Sequence, residues 1–133
     1  MAVYGIGIDL IEVERIVGSL ARFGDRFSRR VFTAEERRRC DRGRRRGACY
    51  ALRFAAKEAF AKALGLGLRR PVLWQDIEVT NDPLGKPEIR LSERAASYCR
   101  GLGIHSWHLS LTDDGRYGAA VVILETQSEQ VSC

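Results

Sequence analysis

No apolar run in this chain of 133 residues approaches the roughly 20 that a membrane helix needs. The N-terminus enters a strand-like pattern at once, with no basic leader and no small-residue cleavage site, so the expectation is a soluble protein kept in the cytoplasm. The four cysteines, Cys40, Cys49, Cys99 and Cys133, include no CxxC pair. That spacing indicates neither a zinc site nor a disulfide framework and leaves reduced thiols as the expectation. Histidine is scarce, and His105 and His108 stand three apart and do not share a strand face, which argues against paired metal ligation. His105 reads as a surface residue just ahead of that strand. There is no internal repeat and no linker. Residues 1–125 therefore read as one small domain, with 126–133 as a disordered tail.

What the chain has in excess is arginine. Between Arg22 and Arg53 lie 12 of the 22 basic residues against Asp25, Glu35, Glu36 and Asp41, so that stretch carries +8 and the remainder −3 of the net +5. A patch of this kind concentrates anionic partners, whether nucleic acid, an acidic protein or a phosphorylated ligand. The run Arg37 to Arg46 has no interleaved aromatics and no groove-reading helix, which argues against nucleic acid.

Residues Ala2 to Leu10 alternate as a strand, with Tyr4, Ile6, Ile8 and Leu10 on one face and Val3, Gly5, Gly7 and Asp9 on the other. Ile11, Ile16, Leu20 and Phe23 fit one helical stripe over Ile11 to Phe27. Thr33, followed by Glu35 and Glu36, caps a short polar helix that carries Arg37, Arg38 and Arg39. The clearest helix spans Ala48 to Leu64 on an alanine-rich stripe and ends at Gly65. Trp74 to Thr80 and Glu88 to Leu91 form a hairpin, Ser92 caps a helix through Leu102, and His105 to Thr112 pairs with Tyr117 to Glu125. Strands and helices do not alternate throughout, so the expected class is α+β, an antiparallel sheet with packed helices.

The chemistry gathers on the long helix. Glu58 and Lys62 lie one turn apart on one side, while Lys57 is about 100° around from Glu58. Such a pair can be no more than an i, i+4 contact on an exposed helix. Beside it, however, the alanine face leaves room for a ligand. Asp9 closes a strand whose same-face neighbours are glycines, and it either caps the following helix or faces a site. If Asp9 and Glu58 converge, two oxygen donors with positions left for water and phosphate make a Mg²⁺ site for a phosphoryl substrate. A Mg²⁺-dependent phosphohydrolase would use the same carboxylates. On the later strand, His108, Ser110 and Thr112 form a polar stripe opposite Trp107, Leu109 and Leu111.

Five segments in order carry a resemblance: Gly5-Ile6-Gly7-Ile8-Asp9, Arg53 to Ala63, Trp74-Gln75-Asp76-Ile77-Glu78-Val79, Gly85-Lys86-Pro87, and His108-Leu109-Ser110-Leu111-Thr112. From Val3 to Glu125 the chain resembles the bacterial holo-acyl-carrier-protein synthases of the 4′-phosphopantetheinyl transferase superfamily. The resemblance implies the α+β fold of that superfamily, assembled as a homotrimer with coenzyme A in a cleft between subunits. It implies Mg²⁺ held by Asp9 and Glu58, catalysis by Glu58 and Lys62, and coenzyme contacts at Arg53, Lys62, Gly65, Lys86, Pro87, His108, Ser110 and Thr112. It further implies docking of an acidic acyl carrier protein on basic residues of the first helix, here Arg15, Arg22 and Arg26, in the service of fatty acid or polyketide synthesis. The arginine run is denser than the family pattern.

Overall fold

A computed structural model of the chain describes residues 1–127. The order is β1 (Ala2–Glu12), α1 (Val13–Phe23), α2 (Asp25–Val31), α3 (Ala34–Asp41), α4 (Arg46–Leu64), β2 (Ile77–Asn81), β3 (Pro87–Leu91), α5 (Glu93–Gly101), β4 (Ile104–Asp113) and β5 (Tyr117–Thr126). All pairing is antiparallel, in a three-stranded sheet of order β1-β5-β4 and a separate β2-β3 hairpin. This is the expected α+β class. Among the described residues no helix is long and apolar enough to cross a membrane.

Helix α4 forms the centre. It lies on β1 and β5, and Ala55, Ala56, Ala59, Phe60 and Ala63 are buried between it and its neighbours. The approach to β1 is closer than any side chain allows: a Cβ at Gly7 would stand 1.8 Å from the Ala59 carbonyl oxygen, and one at Gly5 2.0 Å from that of Ala63. The glycines of β1 thus let the backbone of α4 sit against the strand, which sets the height of Asp9 beside the helix.

Several expectations are corrected. Ile11 belongs to β1, which runs to Glu12, and it is buried there rather than opening a helix. The expected helix through Phe27 is two helices, because Gly24 takes φ 54° and turns the chain between them. Trp74–Asp76 is a single 3₁₀ turn, in which Asp76 accepts from the Leu73 amide before β2 begins. His105 lies within β4, exposed, where the register shifts between Ile104 and Ser106. β5 extends one residue beyond the expected domain end, to Thr126, while 128–133 of the expected tail lie outside the described residues.

The cysteine expectation also changes. Cys40, at the end of α3, and Cys49, near the start of α4, are joined as a disulfide with Cα atoms 5.4 Å apart. The two helices fold back on one another, so their packing and not a short spacing brings the sulfurs together. Among the described residues Cys99 is a free thiol, buried, and burial pushes its pKa up to about 11. Cys133 lies outside the described residues.

Thr33 caps α3 in the expected way, and a capping box with Glu36 completes it. Glu36 then does more. Its other carboxylate oxygen accepts from the Val79 amide at 2.7 Å, and Lys57 Nζ lies 2.8 Å from Oε1. Both side chains are fully buried. Lys57 also donates to the carbonyls of Trp74 and Ile77. One ion pair therefore ties α3, α4 and the start of β2. Burial pushes the Lys57 amine down, against the opposing pull of Glu36.

Candidate active site

Asp9, Glu58 and Lys62 meet where β1 crosses α4. Lys62 Nζ donates to Asp9 Oδ1 and to the Ile8 carbonyl, each at 3.0 Å. The Glu58 carboxyl is held above the usual glutamate range, first by burial and then by the charge of Asp9, with Lys62 and Arg15 pulling it down. Two carboxyl groups, one of them partly desolvated, are thus held with an amine and a guanidinium nearby. Asp9 does not cap α1; the residue in that position is Glu12, and its side chain makes no capping bond. No group of three His, Cys, Asp or Glu residues able to hold a metal occurs among the described residues. The protein supplies two hard oxygen donors at this point, which fits a small divalent cation that keeps water and substrate oxygens as its other ligands.

A second set lies on the later strands. Lys86, Pro87 and His108 line one cavity of about 300 Å³ with Ile89 and Trp107. His108 Nε2 is 2.9 Å from Glu125 Oε1, which also accepts from Ser106 Oγ at 3.1 Å. Those two hydrogen bonds, His108 first, hold the Glu125 carboxyl below its usual range. Glu125 escaped the sequence reading; its signal is the register, which sets it beside Ser106, two residues before His108. Ser110 and Thr112 continue the exposed stripe as expected.

Arg53 stands apart from both sets. It is buried on another stripe of α4, with one terminal nitrogen donating to Asn81 Oδ1 at 3.1 Å and the other to the Cys49 carbonyl at 3.4 Å, while Nε has no partner among the described residues. Gly65 ends α4 in the left-handed region, φ 83°, with open space around its Cα. Of the three basic residues expected on the first helix, Arg15 and Arg22 lie on α1 and Arg26 on α2, past the Gly24 turn. Arg22 stacks on the exposed Phe23, and Arg26 lines a surface cavity with Phe23, Phe27 and Arg30.

Sheet register divides these residues. Asp9 pairs with Ala120 and Ala120 with Leu111, a row that faces α4. The neighbouring rows, Ile6-Ile123-His108, Ile8-Val121-Ser110 and Leu10-Ala119-Thr112, face away from it. The carboxylate–amine set and the polar stripe therefore occupy opposite faces of one sheet.

Fold and site together define a small α+β protein with paired carboxylates and an amine suited to a phosphorylated substrate. The chain belongs to the 4′-phosphopantetheinyl transferase superfamily, whose family model matches residues 5–122. It is 48% identical over 131 residues to the holo-[acyl-carrier-protein] synthase of Methylobacterium nodulans, covering 96% of this chain and 99% of that one. The crystal structure of the Neisseria meningitidis holo-[acyl-carrier-protein] synthase superposes with TM-score 0.89 at 36% identity, over 93% of this chain and 99% of that one. The Bacillus anthracis enzyme in complex with CoA (3′,5′-ADP) gives TM-score 0.79 at 37% identity, over 96% and 100%.

Proposed function

We propose that this chain is a holo-acyl-carrier-protein synthase, which transfers 4′-phosphopantetheine from coenzyme A to a serine of apo-acyl carrier protein and releases adenosine 3′,5′-bisphosphate. The observation that carries the reading is the convergence of Asp9, Glu58 and Lys62 at the β1–α4 crossing. Relatives of nearly the same length named for this activity support it.

Asp9 and Glu58 would hold Mg²⁺, which when bound neutralises the diphosphate and orients it for attack. The carrier serine oxygen bonds to the β-phosphorus as the bond to the departing bisphosphate breaks. Glu58, partly desolvated and beside Asp9, takes the serine proton. Lys62 leaves Asp9 for the phosphate oxygens, where its charge meets the negative charge that develops on the leaving group. Arg53, Gly65, Lys86, Pro87, His108, Ser110 and Thr112 contact the coenzyme.

The reading includes a homotrimer. On the sheet face turned away from α4, Ile6, Ile8 and Leu10 are 62%, 61% and 69% exposed, an aliphatic stripe that a second copy would cover. Such packing would also bring the polar stripe of one copy to the carboxylates of the next, which one subunit keeps on opposite faces. Carrier docking falls to Arg15, Arg22 and Arg26. Fatty acid synthesis in the cytoplasm is the setting this substrate pair suggests.

Mass spectrometry of purified apo-carrier incubated with the chain, coenzyme A and Mg²⁺ tests the reaction, and the carrier should gain one phosphopantetheine on its serine. EDTA should prevent the gain. Free phosphopantetheine released without carrier would replace transfer by hydrolysis, and transfer undiminished by EDTA would remove the metal.

A further inference from the structure

The junction of α3 and α4 holds a group that the transfer reaction does not use. Cys40 is wholly buried, whereas Cys49 is half-buried and lines an open cavity of about 570 Å³ with Arg39, Arg42, Gly43, Arg44 and Arg45. The disulfide between them is therefore reached through Cys49. Around that sulfur the charge is positive. Arg53 approaches Cys49 Sγ to 3.3 Å, four arginines share the cavity wall, and Cys49 stands near the N-terminus of the 19-residue α4. Arg45 is held by Asp113, on β4. Arginine neighbours and a helix N-terminus both favour a thiolate at Cys49. Cys40, at the C-terminal end of α3 and without exposure, lacks that support.

We propose that Cys40 and Cys49 form a reversible thiol–disulfide site, entered at Cys49 by a small anionic thiol or its disulfide, and that its oxidation state sets coenzyme affinity through Arg53. In oxidation the Cys49 thiolate attacks one sulfur of glutathione disulfide, forming a mixed disulfide and releasing one glutathione thiolate. Cys40 gives its proton to water, attacks Cys49 Sγ and releases the second. The cysteine pair loses two electrons, the glutathione disulfide gains them, and two protons end on the released thiols. Reduction runs back through the same mixed disulfide on Cys49.

The coupling rests on the coenzyme role given to Arg53 above. With the disulfide closed, Cys49 Sγ is neutral, and the guanidinium, whose Nε lacks a partner among the described residues, keeps its charge for an anion. With the pair reduced, a Cys49 thiolate beside Arg53 takes up that charge, and residues 41–48 lose the bond that ties α3 to α4.

Wild-type protein equilibrated in graded glutathione buffers, alkylated and mapped by mass spectrometry should convert Cys40 and Cys49 together in one reversible step. Cys40→Ser should stop with one glutathione on Cys49, and Cys49→Ser should take none on Cys40. Reduction of the wild type should raise the coenzyme A KM on the order of tenfold, the size of one charged hydrogen bond, with no such change in Cys49→Ser. Thiols that never pair across the buffer range, or glutathione on Cys40 in Cys49→Ser, would overturn the site. Equal KM values for the two wild-type forms would overturn the coupling. Absence of transfer in both forms, with the mass change intact, would instead refute the transferase reading and leave the thiol chemistry standing.

Discussion

At Glu58, burial and the neighbouring charge of Asp9 both hold the carboxyl above the usual glutamate range, and Lys62 and Arg15 offset them only in part. An acid raised in the folded state makes the ionised fold pay a cost, absent below the ordinary glutamate value and complete above the raised one. The metal-free protein should therefore lose stability as pH rises through that window. Glu58→Gln should remove the dependence and raise the metal-free Tm at neutral pH while abolishing transfer, as read by calorimetry and by carrier mass. A lower Tm at neutral pH would show that the glutamate is not strained there. Lys57 poses the opposite case. Lys57→Met leaves Glu36 charged and buried without its partner, which should cost about 3–5 kcal/mol in urea denaturation. The double variant Glu36→Gln, Lys57→Met should recover part of that loss, and a double variant no better than the single would argue against a coupled pair. Lys57 was partly legible in the sequence, since it shares a buried stripe with Arg53, Ala56, Phe60 and Leu64. Its partner was not, because Glu36 lies 21 positions away on a helix whose charged sequence reads as solvent-facing.

Between elements, the contact that positions the site is β1 against α4. Gly7→Ala would force a methyl group into the Ala59 carbonyl, so the strand must retreat or tilt. The expected cost is on the order of 3 kcal/mol in urea denaturation, with loss of transfer from displaced Asp9 even where the protein still folds. Wild-type activity in Gly7→Ala would mean that Asp9 needs no fixed height beside Glu58. This contact was readable from the glycine alternation in β1 and the alanine stripe of α4, since each is the small-residue half of a close approach. The break at Gly24 was not readable. Glycine in a helical pattern is tolerated often enough that the apolar spacing on either side outweighs it. The 3₁₀ turn at Trp74 was likewise hidden, because three residues set by a side-chain bond from Asp76 leave no periodicity of their own.

For the whole molecule, the exposed aliphatic face of the sheet and the +8 stretch between Arg22 and Arg53 point to two kinds of association. Ile8→Glu places a charge in the centre of the exposed face and should yield monomers by light scattering after size exclusion. On the proposed trimer, transfer should fall with assembly, since the polar stripe and the carboxylates it would bring together would be parted. An active monomer would show that one subunit holds a complete site. Added salt should raise the carrier KM steeply and the coenzyme A KM far less, because exposed charges act over about 8 Å at physiological ionic strength while a diphosphate held by the proposed metal would be shielded. Glutamate substitution at Arg15, Arg22 or Arg26 should imitate salt. Equal salt sensitivity of both KM values would place the carrier surface elsewhere.

The sequence by itself determined the class of fold, the long helix and the two hairpins, and singled out Asp9, Glu58 and Lys62 as candidates, because periodicity and small-residue faces are local properties that survive without neighbours. Tertiary structure alone decided that Lys62 rests on Asp9, that Glu36 and Lys57 pair in the core, that Cys40 meets Cys49, and that His108 lies across the sheet from Asp9. Each of these depends on which residues distant in the chain are brought within a few ångströms, and that is set by how whole elements pack rather than by the pattern within any one of them.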